Sequence, residues 1–280
     1  MTVTMDMIKE LREITHAGVM DCKKALQQSN GNFAEAEKYL KEVGLAAVEK
    51  RVDRATDNGR IEFLVTKDKA VMVDVSCETD FVAKNDQFKA LEANICKLAV
   101  EKGYKEVTED MNDLVKGLIA TINENMKIKK FLAIDVPADS IVVPYSHADG
   151  NIGVFVQFKA ADPAIFATDA FKQFSFNTAM HVCAASPMYL DDTCVPAEYR
   201  DEQLGIFRAQ VKDMDKPEKV KEGIVMGKLK KHYADICLLD QVFQINNDDN
   251  LSVKQLIAKF NKDNNCNICI TGYERFLAGA

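Results

Sequence analysis

The sequence has no tryptophan, four histidines and six prolines among its 280 residues, and it lacks any long uninterrupted apolar run. A membrane-spanning helix needs about 20 mostly apolar residues, so none is predicted. The first residues carry neither the basic and apolar pattern of a signal peptide nor the Arg-rich character of a transit peptide, which favours a cytoplasmic protein. Positive charge is also scarce, because the net charge is −7. Direct nucleic-acid binding requires concentrated Lys and Arg, so we expect a protein partner and neither a nucleic acid nor a membrane.

Sequence motifs for bond-making chemistry are also missing. The chain contains no phosphate-binding glycine loop, no nucleophile elbow and no zinc-protease helix motif. The four histidines follow no metal-ligand spacing and are expected to be structural or interface residues; they are His16, His147, His181 and His232. We therefore expect no enzyme, no cofactor and no metal site.

The cysteines are scattered along the chain. In a reducing cytosol they are predicted to be small buried hydrophobic thiols. One pair, Cys266 and Cys269, has the spacing of a zinc knuckle or a redox pair. A zinc knuckle needs a second ligand pair, which the sequence does not offer. A redox pair would lie at a helix N-terminus, whereas Cys266–Ile270 alternates like a strand, so a structural role is favoured. The eight are Cys22, Cys77, Cys96, Cys183, Cys194, Cys237, Cys266 and Cys269.

A chain of 280 residues is too long for one small core, and 47% of its residues are hydrophobic. The sequence therefore predicts several folded modules. Residues 1 to about 45 predict three short helices, the second ending at Asn30-Gly31 and the third opening with a capping box at Asn32–Glu35. Three helices joined by tight turns suggest a ubiquitin-associated-like module. The charged stretch Glu49–Asn58 is predicted to be a linker.

The middle of the chain predicts a hairpin followed by packed helices. Alternating apolar residues indicate two strands on either side of the turn Lys67–Lys69. Helical spacing then indicates two helices behind them. The strand positions are Ile61, Phe63, Val65, Val71, Val73, Val75 and Cys77, and the helix positions are Phe88, Leu91, Ile95, Leu98, Leu114, Leu118 and Ile122.

A related unit follows. The turn Asp149-Gly150 precedes an alternating strand, and a helix is predicted over Asp169–Ala185. Residues 198–233 predict two helices broken at Asp213–Pro217, which would form a projecting helical hairpin. Strands are predicted near Ile236–Ile245 and Ile268–Leu277, flanking a helix capped at Ser252.

Together these patterns predict an α+β fold. It has an N-terminal three-helix module and a core of two related subdomains, each an antiparallel sheet with helices. The expected domains are residues 1–52 with the linker, 53–140, then 141–196 with 234–280, and the helical hairpin 197–233.

One loop carries an unusual combination of residues. The segment Glu78–Asn85 lies between a strand end and a helix start, where exposed polar residues are usual. It instead presents Phe81-Val82 beside Asp80. Two interpretations remain open: Phe81 fixes the loop to the core below, or it is an exposed aromatic wedge for a partner. Burying a Phe contributes roughly 1.5–3 kcal/mol, so an exposed one needs a reason.

At this loop the chain resembles the elongation factor Ts family. The first shared motif is CETDFVAKN at Cys77–Asn85. The second is KELRE at Lys9–Glu13 followed by AGVMDCKKAL at Ala17–Leu26, and the third is AMHVCAASP at Ala179–Pro187. The three motifs stand in the family's order, and the resemblance covers about residues 5–277.

The resemblance implies a guanine-nucleotide exchange factor that binds elongation factor Tu, a GTPase, and promotes GDP release without bond chemistry. The implied assembly is a complex with that GTPase, with a homodimer or a 2:2 complex as further forms. By position in the motifs, the residues implied to disturb the magnesium and phosphate site are Thr79, Asp80, Phe81 and Val82. The further implied partner contacts are Arg12, Val19, Met20 and His181.

Two functions from other classes compete with this one. The N-terminal helices could serve an adaptor whose second half is only a scaffold. Alternatively, Cys266 and Cys269 could serve a thiol oxidoreductase, which would require a lowered cysteine pKa.

Overall fold

The structure is a computed structural model that describes residues 3–15, 17–49 and 51–280; His16 lies outside the described residues. Three N-terminal helices precede two three-stranded antiparallel sheets with helices, which confirms the predicted α+β class. Across the described ranges, no helix is both long and apolar enough to cross a bilayer. The helices are α1 Met5–Thr15, α2 Val19–Gln28, α3 Phe33–Glu49, α4 Asp80–Ala83, α5 Asp86–Lys102, α6 Glu109–Ile122, α7 Asp169–Ala185, α8 Ala197–Val211, α9 Glu218–Ile236 and α10 Val253–Asp263. The strands are β1 Asn58–Val65, β2 Lys69–Cys77, β3 Met126–Asp135, β4 Ser140–His147, β5 Ile152–Ala160 and β6 Ile268–Leu277.

The chain divides into two compact units. Unit 1 comprises Met1–Asp135, Ser146–Gly153 and Phe276–Ala280, and unit 2 comprises Val136–Tyr145 and Val154–Arg275. The N-terminal helices and the first sheet therefore belong to one unit, while the helical hairpin belongs to the other.

The three N-terminal helices enclose a small core of their own. Leu11, Cys22 and Leu26 are completely buried there. The turn after α2 uses left-handed backbone at Asn30 (φ 52°) and Gly31 (φ 87°), as the sequence predicts. The Asn32 side chain accepts the backbone N–H of Glu35 at 3.3 Å, which is one half of the predicted capping box.

The first sheet has the order β1-β2-β3 and is antiparallel throughout. The alternation of β2 predicts one buried face, but residues 70–77 are buried on both faces. The second face is covered within unit 1. The Ser76 hydroxyl donates to Thr56 Oγ1 at 2.9 Å, and Asp74 Oδ1 accepts the N–H of Gly279 at 3.3 Å. Ser76 and Asp74 Oδ1 therefore have hydrogen-bond partners on the covered face, whereas Asp74 Oδ2 has none among the described residues.

Two helices cover the other face of this sheet. Phe88 and Ile95 of α5 are buried in the core, as predicted. In α6 the predicted stripe Leu114, Leu118 and Ile122 is only half-buried. The buried stripe is Met111, Val115 and Ile119, in which Val115 and Ile119 lie one residue after Leu114 and Leu118.

Strand β3 was not predicted, because Lys127, Lys129 and Lys130 interrupt its apolar pattern. In the second sheet, the order is β4-β5-β6. The predicted turn before β5 is present, with left-handed backbone at Ala148 (φ 50°), Asp149 (φ 53°) and Gly150 (φ 89°).

The predicted helix α7 and strand β6 have the bounds that the sequence indicates, and α8 and α9 form the predicted hairpin. The predicted strand Ile236–Ile245 is wrong. The Cys237 N–H continues the helical bonding to Tyr233, and the N–H groups of Asp240 and Gln241 both bond to the Cys237 carbonyl, so the chain turns there. The capping box of α10 is complete, with Ser252 and Gln255 as its members.

Candidate functional site

The candidate site is the single helical turn α4, which follows directly on β2. Thr79 is its N-cap residue, and the Thr79 hydroxyl accepts the N–H of Val82 at 3.4 Å. Asn85 then caps α5 by accepting the N–H of Gln87 at 2.8 Å. Thr79 caps the start of α4 and Asn85 caps the start of α5 six positions later, so α4 is limited to a single turn. The predicted loop is therefore an ordered helical turn.

Glu124 holds the start of this turn. Its carboxylate accepts the Thr79 hydroxyl at 2.7 Å through Oε1 and the Thr79 N–H at 3.1 Å through Oε2. Hydrogen bonds to a charged acceptor are stronger than those between neutral groups. Because Glu124 is 45 residues away in the chain, no local pattern could have identified it.

Glu78 ties the same point to two further segments. Its Oε1 accepts the N–H of Asn125 at 2.6 Å, and its backbone carbonyl accepts the Asn58 side-chain amide at 2.8 Å. Arg54 lies 3.4 Å from the same carboxylate. The base of α4 is therefore connected to β1, to the start of β3 and to the segment before β1.

The four sequence-predicted residues of this turn divide into two pairs. Val82 is buried in the main core of unit 1, while Phe81 is 82% exposed. The alternative in which Phe81 fixes the loop to the core is therefore wrong, because Val82 does so. Asp80 is also exposed. Thr79 and Val82 hold the turn, and Asp80 and Phe81 are presented to solvent.

Asp80 has one partner of opposite charge. Lys84 Nζ donates to its Oδ2 at 2.7 Å across one helical turn. This hydrogen bond, and the charge of Lys84, lower the pKa of Asp80 below its ordinary value. Asp80 is thus a fully ionised, exposed carboxylate at neutral pH.

The sequence-predicted contacts of the N-terminal module are also on the surface. Arg12 of α1 is exposed, as are Val19 and Met20, the latter at 71%. Arg12 lines a groove that Lys84 lines from the other side. Unit 1 therefore places Arg12 close to the turn that carries Phe81, although the two are far apart in sequence.

His181 differs from the other sequence-predicted contacts, because its side chain is completely buried in unit 2. The ring stacks on Phe243 with centroids 5.1 Å apart. Nδ1 accepts the N–H of Gln244 at 3.3 Å, so Nε2 carries the proton and donates to Gln241 Oε1 at 3.1 Å. Burial lowers the pKa of His181. In this structure the imidazole holds the segment Gln241–Gln244 and does not reach the surface.

The cysteines follow the prediction only in part. Five are buried, Cys266 is half-buried, and Cys194 and Cys269 are exposed. Cys266 donates to Asn261 Oδ1 at 3.3 Å, and burial raises its pKa, which is opposite to the shift a redox thiol needs. Among residues that the structure describes, no cluster of three or more His, Cys, Asp or Glu side chains is arranged to hold a metal ion.

Comparison with known proteins places the chain in a family. The family model described as elongation factor TS matches residues 78–280. Elongation factor Ts of Treponema denticola is 44% identical over 256 residues, which cover 91% of each chain. That of Treponema pallidum (strain Nichols) is 41% identical over 90% of each chain, and that of Clostridium tetani is 36% identical over 99% of this chain and 93% of the relative. The chain therefore belongs to the elongation factor Ts family and is a translation elongation factor.

Proposed function

We propose that this chain is a guanine-nucleotide exchange factor for elongation factor Tu. In this proposal the chain binds the GDP form of the GTPase, disturbs its magnesium and phosphate site, and releases GDP so that GTP can bind. No covalent bond is made or broken, so the chain acts through binding energy alone.

The observation that carries the proposal is the exposure of Phe81 on a firmly held turn. An aromatic side chain left in water forgoes the free energy of burial, roughly 1.5–3 kcal/mol. Buried aromatic anchors are the residues that contribute most at protein interfaces. Phe81 is exposed in the unbound chain, as such an anchor is before its partner binds.

The surroundings of Phe81 supply the rigidity that a wedge requires. A side chain can separate two elements of a partner only if its own backbone resists the push. Glu78 and Thr79 connect the base of the turn to three other segments, and Val82 is fixed in the core. A force on Phe81 is therefore transmitted to the sheet through these contacts, and the turn itself would not bend.

Asp80 complements the wedge by its charge. Magnesium prefers oxygen ligands and bridges the phosphates of a bound nucleotide to the GTPase. A carboxylate brought beside this site repels the phosphates of the nucleotide and competes with them for the magnesium ion. By linkage, the chain and GDP then lower each other's affinity for the GTPase by the same factor, so that an incoming nucleotide expels the exchange factor.

The remaining contacts contribute affinity in this scheme. Arg12, Val19 and Met20 offer an exposed cation beside exposed apolar side chains, which suits a second contact on the same GTPase. His181 takes an indirect part, because its buried ring fixes the backbone at Gln244. Exposed neighbours in that segment, such as Val242, would make the contact.

The direct test uses purified elongation factor Tu loaded with a fluorescent GDP analogue. The chain is expected to accelerate release at concentrations below that of the GTPase, because each molecule is recycled. Added GDP with magnesium is expected to dissociate the complex, which size-exclusion chromatography would detect. Absence of acceleration at saturating chain would refute the exchange function, and a complex that forms but ignores GDP would favour the adaptor.

A further inference from the structure

Arg60 connects three separate segments of unit 1. From β1, its Nη1 donates to Glu62 Oε2 at 2.8 Å and to Glu92 Oε2 of α5 at 3.1 Å. Its Nε donates to the backbone carbonyl of Asp149 at 3.0 Å, and its Nη2 lies 3.8 Å from Asp149 Oδ1. A planar guanidinium can serve several acceptors at fixed angles, which a Lys ammonium on a flexible stem cannot reproduce.

The buried side of this arrangement explains why Arg60 is held in place. Glu92 is completely buried, and Arg60 is its only ion-pair partner among the described residues. Burial raises the pKa of Glu92 to about 8 against the opposing effect of Arg60, so without Arg60 the buried carboxyl would lose the partner that favours its charged form. Glu92 thus fixes Arg60, and Arg60 extends outward to the turn between β4 and β5.

That turn is docked closely on β1. Ala148 and Asp149 both adopt left-handed backbone, which residues other than glycine seldom do. Gly150 follows, and a Cβ added there would meet Arg60 Cγ at 2.5 Å and the Ile61 carbonyl at 2.9 Å. The Ile61 N–H donates to the Gly150 carbonyl at 2.8 Å. Left-handed backbone at Asp149 and Gly150 is usual for an Asp-Gly hairpin turn, and the contacts of Arg60 and Ile61 hold this turn against β1.

The docked turn faces the candidate site. A cavity of about 320 Å³ is lined by Asp80 and Lys84 on one side, by Ala148 and Asp149 on another, and by Arg60. Lys89 closes the charge network by donating to Asp149 Oδ2 at 2.9 Å. The position of the turn therefore sets one wall of the surface that carries Asp80.

We propose that Arg60 is a positioning residue for nucleotide exchange, which it serves by docking the turn Ala148–Gly150 beside Asp80. The inference rests on the proposed exchange function, because the turn then forms one side of the surface that meets the GTPase. Arg60 itself contacts no partner. A loosened turn changes the wall of the cavity that Asp80 lines, and so the surface that presents this carboxylate at the moment of contact.

The test replaces Arg60 by lysine. Arg60→Lys keeps a cation for Glu92 but cannot also reach the Asp149 carbonyl, so the fold is retained while the turn is released. We expect the amide hydrogen of Ile61 to exchange roughly tenfold faster. The maximal stimulated rate of GDP release should fall about three- to tenfold, with the half-saturating concentration changed less than about twofold.

A second variant releases the turn from its own side, so that the inference does not depend on one substitution. Gly150→Ala keeps the charges of Arg60 and Glu92, but its added Cβ would collide with Arg60 Cγ and the Ile61 carbonyl and displace the turn. It should show the same loss of maximal rate and the same faster exchange at Ile61. Arg208→Lys is the matched control, because Arg208 also bonds a glutamate, Glu222, through two nitrogens, on the helical hairpin.

The outcomes separate the two proposals. If the wild-type chain stimulates release and both variants match it while folded, Arg60 has no positioning role and only this inference fails. A rate loss that merely follows the unfolded fraction, and disappears at a temperature where each variant is fully folded, also overturns it. If the wild-type chain does not stimulate release, the proposed exchange function itself is refuted, and this inference fails with it.

Discussion

Phe81 and Val82 are adjacent residues of one short helix that face opposite ways. Phe81 is 82% exposed, whereas Val82 is 8% exposed and packs in the core. Successive residues of a helix point about 100° apart, and Val82 and Ala83 are both buried, so Phe81 lies on the far side of the turn from the core. The smaller apolar residue anchors the turn and the larger one is left for a partner.

The first prediction concerns the N-cap of that turn. Thr79→Ala removes the acceptor for the Val82 N–H and the donor to Glu124, so the free energy of unfolding should fall by about 1 kcal/mol. Thr79→Ser keeps both groups and should stay close to wild type. Urea unfolding followed by circular dichroism measures both, since the chain has no tryptophan for fluorescence. Equal stability of the two variants would mean that the cap does not hold the turn.

Local sequence patterns predicted the elements whose hydrogen bonds lie close in the chain. Helix α7, the α8–α9 hairpin and the capping box at Ser252 were found because spacing and caps are local signals. Strand β3 was missed because its lysines interrupt the alternation. The strand predicted over 236–245 was wrong because a turn at Cys237 redirects an apolar run.

The candidate site was predictable only as a motif. The sequence marks Asp80 and Phe81, but it could not decide whether Phe81 is buried. That depends on how Val82 fits the core beneath it. The supporting residue Glu124 was not predicted at all, and Asp149 was predicted only as part of a turn, since the contacts of both span long separations in the chain.

The second prediction assigns affinity to the N-terminal module. Met20→Ala removes an exposed apolar side chain, and a contact of moderate weight at an interface contributes about 1 kcal/mol. The half-saturating concentration for stimulated GDP release should rise about three- to tenfold, while the maximal rate changes less than twofold. Met188→Ala is the control, because Met188 is 55% exposed in unit 2. A lower maximal rate with unchanged half-saturation would reverse the assigned roles.

The third prediction is that Cys266 and Cys269 are dispensable for exchange. Cys266 bonds Asn261 and Cys269 faces solvent, so neither supports the Phe81 turn of unit 1. The double change Cys266→Ser and Cys269→Ser should leave stimulated GDP release within a few-fold of wild type. Stoichiometric zinc in elemental analysis of the wild-type protein, or lost exchange in a folded double variant, would contradict this expectation.

The fourth prediction concerns pH and His181. Burial lowers its folded-state pKa below the ordinary value of about 6.5. The unfolded chain therefore takes up the proton first, and the stabilisation is complete above about pH 6.5 and declines as the pH falls below it. The stability advantage of the wild type over His181→Gln should shrink between about pH 7.5 and 5.5. Chemical unfolding of both proteins across this range measures the difference, and a constant or growing advantage would show that the neutral ring is not what the fold requires.

The most direct measurement compares fluorescent GDP release from elongation factor Tu with wild-type chain, Phe81→Ala and Phe176→Ala. Phe176 is the matched control, because it is also an exposed phenylalanine on a helix. Loss of a buried aromatic anchor costs about 2 kcal/mol or more at an interface, and each 1.4 kcal/mol is about tenfold. Phe81→Ala should therefore reduce stimulated release roughly ten- to a hundredfold while melting within a few degrees of wild type, and Phe176→Ala should match wild type in release. A folded Phe81→Ala chain that stimulates release as well as wild type would contradict the account.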